Sequence, residues 1–180
     1  RFTGGEPLLR RGLSDIIART ASLAAKPETS LTTNALGLAK LAPALAQAGL
    51  TRVNVSLDSI RPEVFAKITL RDRLHDVIEG LASAQLAGLG PVKVNAVLLR
   101  GVNDTEAGEL LRWCLERGYE LRFIEQMPLN PQHGWSRDSM VTAAEILAQL
   151  ESEFTLSPVG EARGSAPAEI SRLNRARNIT

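Results

Sequence analysis

Val92-Lys93-Val94-Asn95-Ala96-Val97-Leu98-Leu99 alternates apolar with polar residues and carries three valines, the pattern of a strand with one buried face. Side chains alternate along a strand, so Val92 and Val94 share one face and Lys93 and Asn95 the other. Before it, residues 74–87 repeat apolar positions at helical spacing, and Gly88 and Gly90 close that helix. After it, Asp104 or Thr105 is placed to cap a helix that runs through Arg117 and stops at Gly118. A second strand follows over 119–125 (YELRFIE). Strands separated by helices of about 10–15 residues make βα units, and βα units make a parallel sheet.

The same alternation extends in both directions. Upstream lie a strand over 52–57 (RVNVSL), an alanine- and leucine-rich helix over 36–50 with Gly49 in a stop position, and a short strand over 30–33. A helix starts near Leu13, where Ser14 and Asp15 suit its first turn, and a short one over 62–68 has Pro62 at its first turn. Downstream, 142–153 reads as helix and 154–158 as a weak strand. Five successive strand ends carry Thr3-Gly4-Gly5-Glu6, Thr32-Thr33-Asn34, Ser56-Leu57-Asp58, Lys93 with Asn95, and Arg122 through Met127. Active sites of α/β barrels sit on that rim. Ser, Thr, Asn and Asp also cap helices that follow strands, but five polar rims in succession favour a binding face.

Composition narrows the classes. The 180 residues are 44% apolar and 23% charged, enough for one substantial core. A net charge of +1 supplies no global field for nucleic acid or an anionic membrane, so neither is an expected partner. No apolar run approaches the roughly 20 residues of a membrane span, and no signal-peptide pattern stands at the start. The single cysteine, Cys114, excludes a disulfide framework and a cysteine-only metal site here. It lies in an amphipathic helix, as a core thiol does. His75 and His133, far apart, complete no ligand set, so no metal ligand is expected; the expected compartment is the cytoplasm. Position 1 is Arg, and the first residues already read as a strand ending, which is expected of a piece of a longer chain.

The turn Gly4-Gly5-Glu6-Pro7 has its own chemistry. Glycines let backbone approach a ligand closely, a carboxylate accepts from an ammonium, and Pro stiffens the turn. The ordered set RFTGGEPLLRRGL, LTTNAL, AGLTRVNVSLDS, VKVNAVLLRGVND, LRFIEQMPL and HGW resembles the GTP 3′,8-cyclase family, from Arg1 to about Pro158. These are radical S-adenosylmethionine (SAM) enzymes that begin molybdenum-cofactor (molybdopterin) biosynthesis. The resemblance implies an α/β fold, a partial (βα) TIM-like barrel with parallel strands, incomplete in this chain. It implies SAM and 4Fe-4S clusters as cofactors, GTP as substrate, and (8S)-3′,8-cyclo-7,8-dihydroguanosine 5′-triphosphate as product. Cyclic pyranopterin monophosphate synthase would act downstream. By position, Gly5, Ser56 and Met127, with Gly4 and Glu6, would hold SAM; Arg1, Thr32, Lys93 and Arg122 would hold GTP. No residue of this chain is expected to be catalytic by itself.

Departures from the family pattern set further expectations. The CxxxCxxC motif of the family lies upstream of TGGEP, and its second cysteine triad lies in a C-terminal segment; neither is in these residues. The chain alone is therefore expected to be inactive, with an exposed strand edge that favours poor solubility or a homodimer. Ala35 stands where the family commonly has Gly, at a cost of about 1 kcal/mol if that position needs positive φ. Residues 1–160 are expected to form the barrel core and 161–180 a divergent, disordered tail. Another radical SAM enzyme sharing GGEP, or a degenerate nucleotide-binding module without chemistry, remain the alternatives.

Overall fold

A computed structural model describes residues 1–127, 140–158 and 171–173. Four short strands, β1 (Ser30–Thr33), β2 (Arg52–Ser56), β3 (Lys93–Ala96) and β4 (Glu120–Phe123), pair in chain order into one parallel sheet. Phe2 extends it: its N–H donates to Ser30 O at 2.7 Å and its carbonyl accepts from Thr32 N at 2.9 Å. Helix α1 (Leu13–Ala21) precedes β1; between the strands run α2 (Leu38–Gln47), α3 (Pro62–Thr69), α4 (Leu74–Leu86) and α5 (Ala107–Arg117); α6 (Ala143–Glu151) follows β4. None of the described helices is long and apolar enough to cross a membrane.

The alternation predicted for 92–99 holds in β3, where Val94 and Ala96 are fully buried and Lys93 and Asn95 half-buried. Leu31, Val53, Val55 and Val94 face the helices and join Ile17, Leu38, Leu45 and Leu81 in the main core. Each such side chain contributes about 1.5–3 kcal/mol through burial. Helices α2 and α4 approach closely at Gly80, where a Cβ would lie 3.0 Å from Ala35 O and 3.1 Å from Leu38 Cβ. A smaller cluster, Leu98, Ala107, Val141, Ile146 and Leu150, seats α6 against α5.

Several boundaries differ from the sequence reading. Helix α1 does begin at Leu13 with Asp15 in its first turn, and Gly12 precedes it in the left-handed region (φ 76°) with no side-chain cap. Glu106, not Asp104 or Thr105, precedes α5; Asp104 Oδ2 instead accepts from Gly101 N at 3.0 Å. Ala35 does adopt positive φ (63°) and is fully buried. β5 (Leu156–Pro158) pairs antiparallel with β6 (Ser171–Leu173), three residues inside the stretch expected to be disordered. The rest of that stretch, and the HGW motif with His133, lie outside the described residues.

Candidate functional site

Strand alternation and register together build the polar face. Across the sheet, Thr32, Asn54, Lys93 and Glu120 align in one row, and Ser56, Asn95 and Arg122 in the next. Adjacent strands lie about 4.8 Å apart, so a short polar residue on each strand makes a continuous polar surface opposite the helices. The loops after β2, β3 and β4 add Asp58, Val97 and Ile124, and the start of the chain adds Arg1 and Thr3. All of these except Lys93 and Glu120 line a cavity of about 340 Å³.

Hydrogen bonding within the cavity is incomplete. Asn54 Nδ2 reaches Thr32 Oγ1 only at 3.4 Å. Asn95 Oδ1 is buried with no partner, a condition that costs about 1–3 kcal/mol. Asp58 Oδ1 accepts from Val97 N at 2.8 Å. Burial pushes its carboxyl above the usual range, and the Val97 amide offsets only part of that rise. Asn103, almost fully buried, fixes this corner: its Nδ2 donates to Asp58 O at 2.7 Å and Val97 O at 3.0 Å, and its Oδ1 accepts from Leu99 N at 2.6 Å. Sequence reading passed over Asn103. The signal was the GVND turn, where an amide rather than a cap does the bracing.

A second cavity of about 330 Å³ adjoins the first through Arg1 and Thr3 and is lined by Gly4, Gly5, Glu6, Pro7, Arg10 and Leu13 among others. Gly4 has φ 147°, a conformation that favours glycine. A Cβ at Gly5 would meet nothing within 4 Å, so packing within the chain does not call for glycine there. Glu6 is already engaged: Oε1 accepts from Leu8 N at 3.0 Å and Thr33 Oγ1 at 2.6 Å, and Oε2 from Asn34 N at 2.8 Å. A carboxylate has about four acceptor positions, leaving about one for a ligand.

The structure thus brings Arg1, Thr32, Ser56 and Arg122 around one cavity, and Gly4, Gly5 and Glu6 around its neighbour, with Arg1 shared. Lys93 lines neither; its Nζ lies 2.5 Å from Glu120 Oε2. Met127 lines neither and is 60% exposed. Cys114 is fully buried, and burial pushes its thiol up to about 12. Among the described residues no group of three or more His, Cys, Asp or Glu could hold a metal ion. A protonated, enclosed thiol does not fit an iron–sulfur cluster, which requires several thiolates.

A sequence model of the radical SAM superfamily matches residues 1–114. The chain is 62% identical over 170 residues to the GTP 3′,8-cyclase of Streptomyces coelicolor (strain ATCC BAA-471 / A3(2) / M145), covering 94% of this chain and 50% of that protein. It is 55% identical over 175 residues to the GTP 3′,8-cyclase of Paenarthrobacter nicotinovorans, covering 97% and 49%. The chain therefore spans about half the length of the curated relatives it matches. A solved structure of TYW1 with a lysine-pyruvate adduct bound superposes with a TM-score of 0.59 at 18% identity, covering 89% of this chain and 52% of that one. That likeness is one of fold: the parallel sheet and its helices are the core of a partial (βα) barrel.

Proposed function

The chain belongs to the radical SAM superfamily, and on that premise we propose that it forms the SAM- and GTP-binding core of a GTP 3′,8-cyclase. The observation that carries this reading is the convergence of Arg1, Thr32, Ser56 and Arg122 on one polar cavity at the strand ends. All four are positions that the family resemblance assigns to SAM or GTP, and their side chains suit those ligands.

In this reading the open Gly4-Gly5 turn receives the amino-acid end of SAM, which explains a glycine at position 5 that intrachain packing does not require. Glu6 shapes the turn from behind and keeps about one acceptor position for the ammonium. The Ser56 hydroxyl meets SAM's polar groups, and Met127, exposed at the rim, offers apolar surface to the adenine. Arg1 and Arg122 grip phosphate, the Thr32 hydroxyl bonds the nucleotide, and Lys93 adds a point charge. Gly4, Gly5, Glu6 and Ser56 would hold SAM, which on reduction would supply radical chemistry at the ribose C3′ of GTP. The superfamily's 4Fe-4S cluster is assigned to none of the described residues, because Cys114 does not fit it. The same reading puts the protein in the cytoplasm, with cyclic pyranopterin monophosphate synthase consuming the product. It keeps 1–160 as the barrel core, 161–180 as a tail and a homodimer as the assembly.

Calorimetric titration of the chain with SAM and with GTP tests the proposal. Arg122→Ala is expected to weaken GTP by about tenfold or more, the scale of a charged hydrogen bond, and leave SAM unchanged. Ser56→Ala is expected to do the reverse. A chain that binds ATP as well as GTP points to another radical SAM enzyme; one that binds neither SAM nor GTP sinks the reading.

A further inference from the structure

Lys93 carries its own counterion. Its Nζ lies 2.5 Å from Glu120 Oε2, and the two residues are direct partners in the β3–β4 register. Both occupy the face that bears the cavity, one row below Asn95 and Arg122. On its other side Lys93 faces Asn54 of β2, which is neutral. The remaining charges around the cavity are Arg1, Arg122 and Asp58. The Lys93 side chain is 23% exposed and that of Glu120 53%, so the carboxylate is the wetter and more easily withdrawn partner.

We propose that Glu120 is the displaceable counterion of Lys93, holding its ammonium until a phosphate of a nucleoside triphosphate takes the carboxylate's place. This rests on the GTP reading and adds to it a residue that sets affinity by opposing the ligand. An ammonium has three donors, so a phosphate can begin to bond before Glu120 leaves. An ion pair this exposed is weak, so its opening costs little. A carboxylate that stayed beside a multiply charged phosphate would repel it, and the repulsion would be felt within a Debye length. Glu120 thereby selects against singly charged anions, which cannot repay its displacement, and in favour of a triphosphate.

The test is calorimetric titration of the chain with GTP, guanosine and inorganic tripolyphosphate. It compares the wild type with Glu120→Gln, Lys93→Met and the double variant. Glutamine preserves shape at a half-exposed position, and a thermal melt of each variant checks that it is folded. The expected result is that Glu120→Gln tightens GTP and tripolyphosphate by about two- to fivefold, the worth of an exposed ion pair. Guanosine affinity stays unchanged, and the gain disappears in the Lys93→Met background, the signature of coupling between the two residues. Glu120→Gln that leaves GTP affinity unchanged, or weakens it, overturns the counterion role while the GTP site stands. A wild-type chain that binds no GTP overturns the GTP reading and this inference with it.

Discussion

Thr33 Oγ1 donates a 2.6 Å hydrogen bond to Glu6 Oε1 across 27 positions of sequence. The same hydroxyl accepts from Ala35 N at 3.0 Å, and the other Glu6 oxygen accepts from Asn34 N at 2.8 Å. The Gly-Gly turn and the β1–α2 turn are thus one unit, clasped by a single carboxylate. Glu6→Ala strands the Thr33 and Asn34 donors and is expected to lower stability by about 2–3 kcal/mol. Glu6→Gln, which keeps one acceptor oxygen, should lose less. Urea denaturation decides it, and an unchanged midpoint for Glu6→Ala would dissolve the clasp.

Gly80→Ala sets helix propensity against packing. Alanine is favoured in a helix interior by about 1 kcal/mol, yet its Cβ would press on Ala35 O at 3.0 Å. That carbonyl cannot yield freely, because it accepts from Leu38 N at 3.0 Å in a turn held at positive φ. Packing wins, and the substitution is expected to destabilise by about 1–2 kcal/mol. A more stable Gly80→Ala variant in thermal melts would show that α2 and α4 can separate.

Glu145 sets an acid limit. The Thr142 amide, the Arg100 guanidinium and the Thr142 hydroxyl hold its carboxyl down to about 2, from 4.5. A depressed acid contributes stability above its unfolded pKa and loses it as pH falls through the folded value. Unfolding followed from pH 6 to 2 should therefore show a loss between about 4.5 and about 2 that Glu145→Gln flattens. Identical pH profiles for the two proteins would remove Glu145 from the account.

Cys114 is expected to be chemically silent in the folded state. Its thiol is enclosed and pushed up to about 12, so thiolate is scarce at neutral pH. Labelling by a water-soluble disulfide reagent should proceed at the rate of unfolding and rise with urea. Rapid labelling without denaturant would mean that α5 lifts from the sheet.

The strands were legible because β-branched alternation and burial coincide: Val53, Val55 and Val94 are fully buried. Strand ends were shorter than read, since Val97 and Leu98 leave the ladder where the chain bends to the Asn103 bracket. Caps were the weak point. Asp104 and Thr105 have capping chemistry, but Glu106 precedes α5 and Asp104 instead accepts from Gly101 N. Rim polarity marked Thr32, Ser56 and Arg122, because a strand end needs only its own residues to be recognised, whereas Arg1 came from the family resemblance. The Lys93–Glu120 pair was not legible, because it depends on which residue of β4 lies beside Lys93. Register is a property of two strands, and neither one states it.

The small apolar cluster beneath α6 leads elsewhere. Among the described residues Leu98, Ala107, Val141, Ile146 and Leu150 form its buried centre, while ion pairs Arg100–Glu145 and Arg112–Glu153 bind its outside. Fewer buried groups mean a lower threshold for local opening, and exposed ion pairs thin as salt rises. Amide exchange should therefore run fastest through 143–151 and quicken with ionic strength, while β2 and β3 exchange only when the whole chain opens. The protein then has a latch as well as a body, and salt loosens the latch before the body.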